Sequence, residues 1–313
     1  MISRRDMLKM VAALGLSSTA LSSYAVAESF HERVTRYRLT PPRWPNDLNL
    51  KLAVLADLHI CEPWMSIDRV RAIVEQTNSL GPDAILLLGD YVVGHTLGRL
   101  STRVADERWA TAVADLKAPL GVHAVLGNHD WWADANVQKR REGLPRAGRA
   151  LQAVGIPIHE NSAVRLEHNG RPFWLAGLGD QWAFQTSDDE NDDEAAKANM
   201  FGCIGVDDLP RTLAQVTDDA PVILMAHEPD IFPNVPDRVS LTISGHTHGG
   251  QVRIFGYSPV VPSRFGTRYI YGHKIEDGRN LIVSGGLGCS SLPVRLGSPP
   301  EIVLIELGRG GEV

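Results

Sequence analysis

Five short polar clusters each follow an apolar run: Asp57-Leu58-His59, Gly89-Asp90, Gly127-Asn128-His129-Asp130, Ala226-His227-Glu228 and Gly245-His246-Thr247-His248-Gly249. They bring together carboxylates, a carboxamide and imidazoles, with no thiolate. Such hard or borderline donors suit Mn, Fe, Zn or Co better than a soft metal. The set suits a pair of divalent cations, with one ionisable side chain left for proton transfer. In D-x-H and H-x-H, alternate residues project to the same side of an extended chain. Gly89, Gly127, Gly245 and Gly249 let the backbone turn tightly beside the ligands. Alone, D-x-H occurs by chance, G-D is usually a turn, and His227 reads as a satisfied core histidine. G-N-H-D and G-H-T-H-G-G are more specific, and the ordered set is the signal.

The apolar runs are the elements that must position these groups. Residues 50–56, 84–88, 122–126, 221–226 and 240–244 read as buried strands, and each ends at a cluster. In open α/β sheets ligands collect at the carboxyl ends of strands, so five distant segments can converge. Residues 66–80, with Ile67, Val70, Ile73, Val74 and Thr77 on one face, predict a helix stopped by Gly81-Pro82. Helices are also expected over 101–117, 145–154 and 207–217. Further strands are expected over 163–167, 173–178, 250–255, 281–284 and 301–307. The alternation defines an α/β fold with a mixed sheet. Residues 28–49 read as a polar lead-in, in which Pro41, Pro42 and Pro45 exclude regular structure where they stand.

The order D-x-H, G-D, G-N-H-D, H, G-H-x-H resembles the calcineurin-like metallophosphoesterases, over roughly residues 50–308. The resemblance implies two packed mixed β-sheets flanked by helices, with the metal site at strand carboxyl ends. It implies that Asp57, His59, Asp90 and His248 hold one metal, and that Asp90, Asn128, His227 and His246 hold the other. Asp90 would then be shared. Two cations about 3.5–4 Å apart would lower the pKa of a shared water towards neutrality for attack on phosphorus. His129 is the candidate general acid, with Asp130 as its orienting partner. Arg264 and Arg295 are candidate phosphate contacts, because guanidinium matches phosphate geometry. Of Trp131 and Trp132, one packs the core and the other flanks the cleft; Trp131 and Asn128 are candidate substrate contacts.

The run Gly89-Asp90-Tyr91-Val92-Val93-Gly94 lacks the acid and arginine of the protein Ser/Thr phosphatases. Gly245–Gln251, Gly286-Leu287-Gly288, Leu292-Pro293-Val294-Arg295 and Pro299-Pro300-Glu301-Ile302 instead resemble the YkuE-like and YaeI-like branch. That branch also contains a UDP-2,3-diacylglucosamine pyrophosphatase of lipid A synthesis; such a hydrolase is the alternative function, and its cytoplasmic-side chemistry is what an export signal argues against. The expected function is hydrolysis of a small-molecule phosphodiester or phosphomonoester. A non-catalytic metal-binding scaffold is the alternative from another class; retention of His129 and all seven ligand positions argues for chemistry.

The 313-residue chain is 43% hydrophobic and 22% charged, ordinary for a globular protein. Its net charge of −6 gives no basic footprint for nucleic acid. Cys61, Cys203 and Cys289 are too few and too scattered for a disulfide framework. Ser3-Arg4-Arg5-Asp6-Met7-Leu8-Lys9, the apolar stretch 10–21 and Ala25-Val26-Ala27 resemble a twin-arginine signal cut before Glu28. The stretch is short for a membrane span. The expected partner is the twin-arginine export machinery, the location the periplasm, and any membrane contact transient or through a retained anchor. Removing residues 1–27 would take the charge from −6 to −8. The run 187–194, within an insertion over 180–206, reads as a solvated acidic loop or as a lid. Residues 309–313 are a short tail.

Overall fold

The computed structural model describes residues 21–186 and 199–308. The paired arginines and the acidic run 187–194 lie outside them. Two mixed sheets form the centre. The first carries β1 (Arg33–Leu39), β15 (Glu301–Leu307), β2 (Leu50–Leu55), β4 (Ala84–Leu87) and β6 (Val122–Ala124), in that order. Its β15–β2 pair is antiparallel and the others are parallel. The second carries β13 (Gly272–Glu276), β14 (Arg279–Val283), β12 (Leu241–Ser244), β11 (Val222–Met225), β8 (Arg171–Gly177) and β7 (Ser162–His168). Its outer pairs, β13–β14 and β7–β8, are antiparallel around a parallel centre. Two small ribbons, β3 (Cys61–Glu62) with β5 (Thr102–Arg103) and β9 (Phe184–Gln185) with β10 (Cys203–Ile204), lie outside the sheets.

Alternation along the strands makes the layers. Leu52 and Val54 of β2 face Ile223, Met225, Leu241 and Ile243 of the second sheet, and Phe173 and Ile282 close the same core. Ala53 and Leu55 point the other way, onto the helices Ile67–Ser79 and Asp106–Val113 through Val70, Ile73, Trp109 and Val113. On the far side, Leu224 and Val283 pack under Phe232 and Tyr269. The result is helices, sheet, sheet and an outer layer, as expected. The helix Ile67–Ser79 is capped by Ser66, whose Oγ accepts the Arg69 N–H at 3.3 Å.

Some boundaries differ. The lead-in 28–49 carries a strand that was not expected, Arg33–Leu39, which pairs with β15 along its length. Its half-exposed edge position lets charged residues alternate, which hides it from an apolar-run search. Residues 250–255 form no regular strand, only bridges from Val252 to Leu296 and Ile254 to Tyr257. The helix expected over 101–117 runs only Asp106–Val113, because Thr102–Arg103 pairs with β3. The helix expected over 207–217 is confined to Leu209–Leu213.

Residues 21–28 are helical and rest on the domain. The Arg295 N–H donates to the Ala25 carbonyl at 2.9 Å, and the Gly297 N–H to Glu28 Oε2 at 2.9 Å. Among the described residues no helix is long and apolar enough to cross a membrane.

Candidate dinuclear metal centre

Asp57 follows β2, Asp90 follows β4, Asn128 follows β6, His227 follows β11 and His246 follows β12. The five loops leave the same end of the two sheets and continue to pair. The Asp57 N–H donates to the Gly89 carbonyl at 3.1 Å and the His59 N–H to the Asp90 carbonyl at 2.9 Å. The His246 N–H donates to Asp57 Oδ1 at 3.0 Å, joining the two sheets. Asp57, His59, Asp90, His246 and His248 have φ of 54°, 45°, 56°, 68° and 52°. Left-handed backbone is uncommon for such residues and concentrates where side chains must be aimed. Gly127 serves closeness instead, at φ −112°. A Cβ there would sit 2.4 Å from Asp90 Oδ1 and 2.6 Å from His227 Cε1.

The ligand atoms form two groups around one carboxylate. His59 Nε2 lies 3.0 Å from His248 Nε2 and 3.5 Å from Asp90 Oδ2, and His248 Nε2 lies 3.7 Å from Asp57 Oδ1. In the second group His246 Nδ1 lies 3.0 Å from Asn128 Oδ1 and 3.3 Å from His227 Nε2. His227 Nε2 is in turn 3.4 Å from Asp90 Oδ2. Asp90 Oδ2 thus stands beside both groups. Donors about 2.0–2.2 Å from one ion sit roughly 3–3.5 Å apart, the spacing seen here.

The protonation pattern fits cations. His59 Nδ1 bonds the Val92 carbonyl at 3.1 Å and His227 Nδ1 the Leu88 carbonyl at 2.6 Å. Each ring donates there, which leaves the Nε2 lone pair facing the centre. Burial drives the His59 imidazole down to about 3, and burial also holds His246 and His248 well below the usual range. Burial opposes ionisation of Asp90, but His227, His129 and His59 hold its carboxyl well below the ordinary range. For His227 burial works downward, but Asp90 and Glu228 raise it well up. Burial, with the Asp90 charge, pushes Asp57 up to about 7. Three imidazoles held neutral by burial, those of His59, His246 and His248, beside the Asp57 and Asp90 carboxylates make a donor set that suits divalent metal ions.

All seven expected ligands converge. His129 stands at the mouth, with Nε2 4.0 Å from Asp90 Oδ2 and its ring 5.0 Å from that of His59. Other expectations are corrected. Asp130 does not orient His129: its Oδ2 accepts the N–H groups of Asp90 and Gly127, both at 2.9 Å, and its Oδ1 accepts that of Tyr91 at 2.9 Å. Trp131 is buried against Phe184; Trp132 is the tryptophan beside the site, edge-on to His129 at 5.1 Å. Arg295 is fully buried, and its guanidinium is held by the carbonyls of Gly285, Gly288 and Ser298 and by His248 Nδ1 at 3.2 Å. It shapes the wall behind His248 and does not face a substrate phosphate. Arg264 is tied to Asp230 and lines a cavity of about 450 Å3, and Trp182 on that wall packs against His246 at 4.6 Å.

Several neighbours went unread in the sequence. Glu228 is buried beside the second group, its Oε2 accepting the Gln181 N–H at 3.0 Å, and its carboxylate lies within 4.8 Å of the His227 and His246 nitrogens. Its adjacency to His227 was the available signal. Burial, with the Glu228 charge beside it, holds Asp180 well up. His129 and Trp132 line a cavity of about 420 Å3 with Arg99, Arg103 and Arg146. No local spacing links those arginines to the ligands. Gly94 makes room for the His129 ring: a Cβ there would lie 2.4 Å from His129 Cε1.

This fold with this site defines a metal-dependent phosphoester hydrolase. The chain belongs to the calcineurin-like phosphoesterase family, whose sequence profile matches residues 50–250. It is 30% identical to the phosphodiesterase YaeI of Escherichia coli strain K12 over 98% of this chain and 100% of that protein. It is 26% identical to the uncharacterized metallophosphoesterase YkuE of Bacillus subtilis strain 168 over 98% of each. A dimetal phosphatase from Danio rerio superposes with a TM-score of 0.43 at 15% identity, over 76% of this chain and 88% of that one.

Proposed function

We propose that the protein is an exported, dinuclear phosphodiesterase or phosphomonoesterase for small-molecule substrates. The observation that carries the reading is Asp90 Oδ2, placed 3.5 Å from His59 Nε2 and 3.4 Å from His227 Nε2 with His129 Nε2 4.0 Å away. One carboxylate is set to serve two ligand groups with a proton donor alongside. Two divalent cations held there would neutralise charge on the phosphoryl oxygens and lower the pKa of water towards neutrality.

The chain's own residues do the rest. Asp57, His59 and His248 define one binding position, Asn128, His227 and His246 the other, and Asp90 fixes their separation. His129 protonates the leaving oxygen, and Trp132 holds its ring from one side. The cavity beside His129, walled by Arg99, Arg103 and Arg146, receives the leaving group. The YaeI relative's name supports the diesterase side of the reading. The test is hydrolysis of bis-p-nitrophenyl phosphate and p-nitrophenyl phosphate with Mn, Zn, Fe and Co. Turnover of the first in excess of the second supports the diesterase, and turnover of neither with any metal contradicts the reading.

Export rests on the motif Ser3-Arg4-Arg5 and the small residues Ala25 and Ala27. Replacing Arg4 and Arg5 by lysine is expected to leave the precursor in the cytoplasm. Normal export of that double variant would contradict it.

A further inference from the structure

A second cavity, of about 360 Å3, opens directly on the metal-ligand motif. His246 and His248 form part of its wall, and Val252, Val260, Leu292 and Val294 form much of the rest. The polar side chain best placed to change its character, Gln251, is occupied. Its Nε2 donates to the Leu292 carbonyl at 2.8 Å and its Oε1 accepts the Ser290 N–H at 3.0 Å. Those bonds hold the loop 290–292 against residue 251, so the amide builds the wall.

The apolar character continues outward. Val260 and Leu292 are 75% and 52% exposed, and the neighbouring turn Ile254–Tyr257 presents Ile254, Phe255 and Tyr257 to solvent. Phe255, at its tip, is fully exposed and has a left-handed φ of 50°, a conformation aromatic residues rarely adopt. Single exposed apolar side chains need no explanation, but Val260 and Leu292 are exposed and also line the cavity, and a largely apolar pocket with a few polar groups at one end is the form a ligand site takes.

We infer that this cavity binds an alkyl or acyl chain of the substrate, so that the protein acts on amphiphilic phosphoesters. The inference rests on the phosphoesterase reading above and specifies its substrate class. A phosphorus atom beside Asp90 would have one ester arm directed to His129 and the other along the wall formed by His246 and His248. An alkyl chain on that arm leaves water for Val252, Val260, Leu292 and Val294.

The test uses the Mn-loaded protein and p-nitrophenyl phosphodiesters whose second ester is methyl, butyl or octyl, below their micellar concentrations. The leaving group is constant, so only the remote arm varies. Burial of added methylenes predicts that kcat/KM rises on the order of tenfold or more from methyl to octyl. Val260→Asp with Leu292→Asp is expected to collapse that octyl-to-methyl ratio, while Ile275→Ser, at an exposed residue of β13, leaves it unchanged. Equal kcat/KM for methyl and octyl esters in the parent protein would overturn the inference while bis-p-nitrophenyl phosphate turnover upheld the phosphoesterase. A chain-length preference that survives both aspartates would overturn it too, placing the chain elsewhere. Hydrolysis of none of the esters, bis-p-nitrophenyl phosphate included, would overturn both readings.

Discussion

The Asp130 carboxylate accepts the backbone N–H of Asp90 at 2.9 Å, with the N–H groups of Gly127 and Tyr91 on the same carboxylate at 2.9 Å each. Asp130 therefore fixes the loop that carries Asp90, from the neighbouring strand end. The Asp90 side chain returns the contact, its Oδ1 accepting the His129 N–H at 2.8 Å. The two loops lock each other. A fault in either moves both the Asp90 carboxylate and His129.

Asp130→Asn tests that lock. One face of an amide carries N–H donors, which would meet the N–H groups that now donate to the carboxylate. The expected cost is about 2–3 kcal/mol in urea unfolding, from buried donors left unpaired, together with weaker Mn binding. Wild-type stability and metal affinity, with only the acid limb of the pH–rate profile altered, would return Asp130 to the role of orienting His129.

Asp90→Ala is expected to abolish metal loading and turnover together, read by elemental analysis and by bis-p-nitrophenyl phosphate hydrolysis. A variant that still binds two equivalents of metal would remove Asp90 from the shared position.

Gly127→Ala places a methyl where Asp90 Oδ1 is 2.4 Å away and His227 Cε1 2.6 Å away. Both neighbours are held by other bonds. The fold is expected to survive and kcat/KM to drop on the order of 100-fold, since displacements of about 1 Å cost that much at a reacting centre.

A stability prediction concerns a pair away from the metals. His159 Nε2 and His123 Nδ1 are 2.9 Å apart, and burial drives His159 down to about 4. Its neutral form is favoured in the fold. The unfolded chain binds this proton near 6.5, so the stability contribution is complete above that pH. It is lost as pH falls towards 4, by about 3 kcal/mol. His159→Gln should flatten unfolding free energy between pH 6.5 and 4 relative to the parent. An unchanged slope would show that other groups set it.

The metal centre was legible because it depends on strand ends. Apolar runs such as 222–225 announce a buried strand, and the residue after each is aimed by the sheet. What could not be read were roles decided by side-chain direction. Asp130 and His129 are neighbours in sequence, yet one turns into the loop and the other to the mouth. Trp131 and Trp132 divide the same way, core and cleft, on one short helix. Arg295 looked like a phosphate contact because guanidinium suits phosphate, but three carbonyls claim it. Arg99, Arg103 and Arg146 meet near His129 only through tertiary packing.

The most direct measurement compares His129→Ala with the parent on p-nitrophenyl and phenyl phosphodiesters, with metal content determined on the same samples. A general acid contributes about 10²–10⁴-fold, and more for a poor leaving group than for a good one. The expected result is full metal content, with turnover of the phenyl ester lost far more severely than that of the nitrophenyl ester. Full activity on both esters, or loss of the metals along with activity, would contradict a site in which Asp90 gathers two cations and His129 supplies the proton.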